Sequence, residues 1–175
     1  MSFRDELLAR FRWIEGHADV LGLLADPELL AGAVNALADP FADRGVTKVA
    51  AVEARGFVLG GAVAVRLDSG FVAIRKEGSI HPGAKLERRT GPDWRGQQNV
   101  LRIQRDALGK DDVVLLVDDW AETGSQALAA QMLVLDCGAS YAGLALLVDQ
   151  LADEIRASLF PVHAVVRADE LPPVG

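Results

Sequence analysis

The chain has 175 residues, half of them apolar and a quarter charged, which fits one domain able to bury a full core. A formal net charge of −7 argues against nucleic acid as the main partner, and a single cysteine, Cys137, excludes an internal disulfide. No apolar run approaches the roughly 20 residues that cross a bilayer, and Met1 to Glu15 lacks the basic-then-apolar order of a signal peptide. A single cytoplasmic domain over residues 1–175, without nucleic acid or membrane as partner, is the expectation.

Apolar residues at Leu7, Leu8, Phe11 and Ile14 predict a short amphipathic helix from Asp5 to Trp13. Asp26-Pro27-Glu28 is a helix start, with a capping acid, proline in the first turn and an acid near the positive end; this helix is expected to run to about Ala38. The β-branched run Val46 to Val52 predicts a buried strand, and the small apolar residues from Gly56 to Val65 a helix that packs closely on it. Gly70 to Ile74 reads as a strand and Val100 to Ile103 as a weaker one.

Between them, Gly78 to Gly96 is rich in glycine and charge and has no clear period; such a stretch is either a binding lid or a plain surface excursion. Val113 to Val117 is the strongest strand. After it come Asp118-Asp119, a glycine-containing turn and a helix from Gln126 to Asp136. A strand from Tyr141 to Val148 ending in Asp149, a helix from Ala152 to Leu159 and a strand from Val162 to Val166 complete the chain. Strands alternating with helices predict an α/β fold of parallel βαβ units. Ligands of such sheets bind beyond the carboxyl ends of the strands, so the loops after Val52, Ile74, Val117 and Val148 are the places to look.

The last residues of the segment Val113-Val-Leu-Leu-Val-Asp-Asp-Trp-Ala-Glu-Thr-Gly-Ser-Gln126 carry chemistry. Two adjacent carboxylates repel one another unless hydroxyls, such as those of a ribose, or a metal offset the charge. Thr123-Gly124-Ser125 precedes a helix, where exposed amides favour an anion, glycine allows close approach and the hydroxyls can donate to phosphate. A diol reader beside a phosphate cradle describes a ribose 5-phosphate site; the other reading of these residues alone is an acidic turn with a plain Thr123 or Ser125 cap.

The segment resembles the phosphoribosyl pyrophosphate signature of type I phosphoribosyltransferases: four apolar residues, two acids, a few variable positions, then Thr-Gly. Asp26-Pro-Glu-Leu, Glu53-Ala-Arg-Gly-Phe57, Ile74-Arg-Lys76 with Gly78, and Leu101-Arg-Ile-Gln-Arg-Asp-Ala-Leu108 are similar to landmarks of the adenine phosphoribosyltransferases, in their order and at about their spacing. The resemblance spans about Asp19 to Asp149. It implies a five-stranded parallel core flanked by helices, a small hood formed near residues 13–25 and 149–175, and a flexible loop near 78–99 that closes over the reacting sugar.

It also implies roles. Asp118 and Asp119 would hold the ribose hydroxyls, and Ala121, Glu122, Thr123, Gly124, Ser125 and Gln126 would wrap the 5-phosphate. Ala54, Arg55 and Gly56 match the pyrophosphate loop, and Arg75 and Lys76 a basic pair near the pyrophosphate, with Arg55 steadying the leaving group. Magnesium is the implied cofactor, held mainly by substrate and water, with Asp118 and Asp119 as the candidate protein ligands. A homodimer is the usual assembly, to which Phe57 to Val65 can contribute.

Three departures concern the base. Asp93-Trp94-Arg95-Gly96 stands near the family's Glu-Tyr-Gly, so Trp94 is either a substitute cover or a tryptophan folded on the flank. His17-Ala-Asp-Val20 lacks the family's hood arginine; His17 either touches the base or is solvated. Glu122 stands where adenine enzymes have a small residue and hypoxanthine-guanine enzymes an acid, which makes it the candidate general acid/base toward the purine's imidazole ring; otherwise it points outward or pairs with an arginine. The expected function is phosphoribosyl transfer from phosphoribosyl pyrophosphate to a purine, adenine first. The alternatives are transfer to another purine or modified base, and a non-catalytic regulator that binds the same ligand.

Overall fold

The structure is a computed structural model that describes residues 2–174. Helix α1 (Phe3–Arg10) begins earlier than expected because Ser2 caps it: its hydroxyl accepts from the Asp5 amide and the Asp5 carboxylate reaches back to Ser2. It also ends earlier, since Phe11 and Trp13 leave helical geometry to stack edge-on, 5.3 Å between centroids. A small hairpin follows, β1 (Trp13–Ile14) against β2 (His17–Ala18), around Glu15 and Gly16, both with positive φ. The sequence reading had no hairpin here, nor helix α2 (Val20–Leu24), which Asp19 caps. Helix α3 (Pro27–Ala38) starts as expected, with the Asp26 carboxylate accepting from the amides of Glu28 and Leu29.

Next come β3 (Lys48–Val52), α4 (Arg55–Arg66), β4 (Gly70–Lys76), β5 (Lys85–Arg89), β6 (Val100–Gln104), β7 (Val113–Ala121), α5 (Ser125–Asp136), β8 (Ser140–Asp149), α6 (Asp153–Ser158) and β9 (Val162–Arg167). The sheet order is β5-β6-β4-β3-β7-β8-β9. Strands β4, β3, β7, β8 and β9 are parallel neighbours, which is the expected five-stranded core. Strands β5 and β6 add an antiparallel edge to it.

Two expectations are corrected. The stretch from Gly78 to Gly96 is not irregular throughout, since β5 lies inside it and pairs with β6 from Lys85↔Gln104 to Arg89↔Val100. Its signal was weak because an edge strand carries charge against stray pairing, leaving Leu86 as its one apolar residue. Arg88 fixes this edge to α5 with a two-pronged pair to Asp136, at 2.6 and 2.7 Å. The irregular parts are therefore residues 77–84 and 90–99, the second closed where the Thr90 amide donates to the Asn99 carbonyl at 2.8 Å. Secondly, Asp118 and Asp119 are not in a loop after a strand. Strand β7 continues through them to Ala121, paired with β8 up to Asp149.

Helices cover both faces of the sheet, so β7 is apolar on both sides. Side chains alternate across a strand: Leu115 and Val117 join one core with Leu29, Leu37, Leu59 and Val63, whereas Val114 and Leu116 join the other with Leu133 and Ile74. Burying each such Leu or Val contributes roughly 1.5–3 kcal/mol. These two layers hold the carboxyl end of β7 in place.

Candidate active site

A cavity of about 580 Å³ opens beyond the carboxyl ends of β3 and β7, within the size range of small-molecule sites. Residues Glu122 to Gln126 line one end of it. Gly124 takes a left-handed conformation, φ +71°, just ahead of α5, and a Cβ there would stand 2.5 Å from Ile155 Cγ2 and 2.9 Å from Leu151 Cδ2. Glycine is thus required twice, for conformation and for room. The Thr123 hydroxyl donates to Ser125 Oγ at 3.1 Å and accepts from the Ser125 amide at 3.3 Å, so both hydroxyls and the first amide of α5 lie together. No acid sits in the first turn of α5, and the positive end of a twelve-residue helix is left to attract an anion.

The strand alternation divides the acid pair. Asp118 lines the cavity, while Asp119 turns into the wall, 3% exposed, and its Oδ2 stands 2.8 Å from Arg55 Nε. Arg55 itself lines the cavity and is half exposed. Asp118 and Asp119 were expected to act alike; the structure gives Asp118 the cavity and makes Asp119 the counter-ion that orients Arg55. Gly56 packs against Asp118 closely enough that a Cβ would lie 3.0 Å from Asp118 Oδ1. Burial, and next the charge of Asp119, push the Asp118 carboxyl well above the ordinary aspartate range.

Ala121 lines the cavity beside the phosphate-type loop, whereas Ala54 and Gly56 flank Arg55 without lining the cavity themselves. The structure does not bring Arg75 and Lys76 to the cavity. Arg75 Nε pairs with Glu53 Oε2 at 3.0 Å and donates from its Nη1 to the Ile80 carbonyl, while the Lys76 amide donates to Glu53 Oε1 at 2.6 Å. Glu53 also accepts from the Ser79 hydroxyl at 2.5 Å. Burial alone would raise the Glu53 carboxyl, but Ser79, the Lys76 amide and Arg75 together hold it below its usual range. Glu53 thus ties the turn that carries Arg55 to the end of β4.

The far end of the cavity is aromatic. Trp13 and Trp120 line it with ring centroids 6.1 Å apart, and His17 joins them from the hairpin, exposed. Trp94 lines the cavity from the 90–99 loop while 63% exposed, with the Arg95 guanidinium 4.4 Å from its ring centroid. Sequence reasoning missed Trp13, Trp120, Arg95 and Gln150 as cavity residues. Trp120 could have been found from its place directly after the acid pair. Trp13 was assigned to a helix, and Gln150 gave no signal.

Asp149 is fully buried and does not line the cavity; it accepts from the Leu151 amide and pairs with Arg156 and Arg167. Glu122 lines the cavity and, among the described residues, forms no ion pair. Among those residues no three acidic, histidine or cysteine side chains converge as a metal cage. The donor set here is Asp118 with Asp119 engaged by Arg55, which suits a hard cation that keeps phosphate oxygens and water as most of its ligands. No helix among the described residues is long and apolar enough to cross a membrane.

The phosphoribosyl transferase domain model matches residues 23–162. The adenine phosphoribosyltransferase of Streptomyces clavuligerus is 40% identical over 150 residues, covering 86% of this chain and 83% of that protein. That of Dinoroseobacter shibae is 45% identical over 131 residues, covering 75% of this chain and 72% of that protein. Among solved structures, the adenine phosphoribosyltransferase of Rhodothermus marinus superposes with a TM-score of 0.84 at 32% identity, covering 94% of this chain and 98% of that one. The Giardia lamblia enzyme complexed with 9-deazaadenine gives 0.84 at 30% identity, covering 95% and 98%.

Proposed function

The chain belongs to the phosphoribosyl transferase domain family, and from that premise we propose that it transfers the phosphoribosyl group of 5-phosphoribosyl-1-pyrophosphate to adenine. The products are adenosine monophosphate and pyrophosphate. The observation that carries this reading is the adjacency, in one cavity, of an anion cradle at the start of α5, Asp118 with Arg55, and an aromatic end.

In the reaction the bond from the anomeric carbon to the pyrophosphate oxygen breaks, a ring nitrogen of the base bonds to that carbon, and the base loses a proton. Thr123, Ser125 and the amides around Gly124 hold the 5-phosphate. Asp118 accepts from the ribose hydroxyls. Arg55, held by Asp119, meets the negative charge that grows on the departing pyrophosphate. Bound magnesium would neutralise pyrophosphate charge, with Asp118 the protein carboxylate placed to assist. Glu122, without an ion-pair partner among the described residues, exchanges the proton with the base. Trp94, Arg95 and the 90–99 loop screen the sugar from water, and His17 borders the base.

The protein acts as a cytoplasmic homodimer in this reading. Phe57 and Phe71 stack edge-on at 5.5 Å, flanked by exposed Val58 and Val65, an apolar patch that a second copy would cover. The test is to mix the purified protein with phosphoribosyl pyrophosphate, magnesium and a panel of bases and follow nucleotide and pyrophosphate by mass spectrometry. Adenosine monophosphate formation is expected. Binding of phosphoribosyl pyrophosphate with no base consumed would refute the reading.

A further inference from the structure

The aromatic end of the cavity contains a polar group whose orientation is decided. Trp120 Nε1 donates to Gln150 Oε1 at 2.9 Å, and both residues line the cavity. An indole nitrogen can only donate, so the end of the Gln150 amide that faces it must be the oxygen. The amide nitrogen, with two N–H donors, is left over, and among the described residues no protein acceptor takes them.

The backbone beneath is fixed. The Gln150 amide donates to the Ala121 carbonyl at 2.9 Å, tying it to the end of β7. On one side the buried Asp149 accepts from the Leu151 amide at 2.8 Å and is clamped by Arg156 and Arg167. A side chain held at both its oxygen and its backbone presents its donor in one direction. Gln150 is itself exposed, and the walls beside it are indole rings, so a flat heterocycle seated there meets the N–H donors of its amide.

We propose that Gln150 is a specificity-determining residue that donates from its amide nitrogen to a ring-nitrogen acceptor of the base, with Trp120 locking the amide in the donating orientation. This rests on the reading of the cavity as a phosphoribosyltransferase site. The chemistry favours bases with an unprotonated ring nitrogen at that edge. A base carrying N–H there opposes donor to donor and leaves both groups unpaired on binding.

Gln150→Glu separates the two bonds, since a carboxylate still accepts from Trp120 but has no N–H to offer. The expected result is a KM for adenine raised about tenfold, with KM for phosphoribosyl pyrophosphate and the thermal midpoint as in wild type. A second measurement identifies the acceptor. Of 1-deaza-, 3-deaza- and 7-deazaadenine, the one missing the partner nitrogen should bind the wild type about tenfold more weakly than adenine, and that penalty should vanish in Gln150→Glu. Trp120→Phe, which frees the amide to turn, should erode the same discrimination.

An adenine KM within about twofold of wild type in Gln150→Glu, or an identical analogue profile in both proteins, overturns the proposal while leaving the enzymatic reading intact. If the wild type consumes no base, the enzymatic reading falls first, and equilibrium dialysis of labelled adenine decides about Gln150. Weaker binding to Gln150→Glu then supports the contact; equal binding, or none to either protein, overturns it.

Discussion

Replacing Gly124 with alanine tests the phosphate cradle at its most constrained atom. Two effects oppose the new methyl group. A left-handed conformation costs an L-residue about 1–2 kcal/mol. The methyl carbon would also stand 2.5 Å from Ile155 Cγ2 and 2.9 Å from Leu151 Cδ2. Both contacts are with side-chain methyl groups rather than backbone, and the Leu151 end can yield although the Ile155 branch methyl is stiffer, so the overpacking cost is taken at about 1 kcal/mol. The sum is about 2–3 kcal/mol, a fall of about 4–12 °C in Tm for a chain of this size. The first amide of α5 shifts with the loop, so KM for phosphoribosyl pyrophosphate should rise about tenfold or more. Differential scanning calorimetry and initial rates read the two effects separately. Removing part of the clash with Gly124→Ala/Ile155→Ala should show favourable coupling of only about 1 kcal/mol, because conformational strain remains. A single mutant with wild-type Tm and wild-type KM would refute both the required backbone geometry and the role of this loop in holding the 5-phosphate.

Asp118→Asn should be more stable than wild type at pH 7. The folded carboxyl titrates well above the ordinary value of 3.8, so the fold holds a proton that the unfolded chain has released, and wild-type stability falls as pH rises from that value through the raised one. The advantage of the asparagine should therefore close as pH is lowered past about 4. Urea denaturation between about pH 4 and 8 checks it, and a constant gap across that range would contradict the assignment. Glu122→Gln should lower turnover on adenine about a hundredfold or more with little change in KM for phosphoribosyl pyrophosphate; full turnover would remove Glu122 from the chemistry.

The parallel core could be read from the sequence because its strands are short apolar runs and its helices carry strong local signals such as Asp26-Pro27. The phosphate-type loop was legible for a similar reason, since Thr123-Gly124-Ser125 is contiguous and its chemistry is local. Features that depend on distant partners were not. The hairpin at Trp13 to Ala18 forms where Trp13 packs against Trp120, more than a hundred residues away. The division of labour between Asp118 and Asp119 required knowing that β7 runs on beside β8, which no composition around 118–121 reveals. Arg75, matched to a pyrophosphate role by the resemblance, pairs with Glu53 on the neighbouring turn, a contact its motif does not reveal. Gln150 acquires meaning only through its bond to Trp120.

The short edge strand β5 alters the thermodynamics of enclosing a substrate. Had residues 78–99 been one unstructured span, every residue in it would lose conformational freedom on closing. Five of them are already fixed in β5, with Arg88 clamped to the far end of α5. At about 1–2 kcal/mol per ordered backbone, roughly 5–10 kcal/mol of entropy has been surrendered during folding rather than during each catalytic cycle. The residues left irregular, 78–84 and 90–99, flank that fixed strand on either side. Ligand affinity therefore has less disorder to overcome at every turnover.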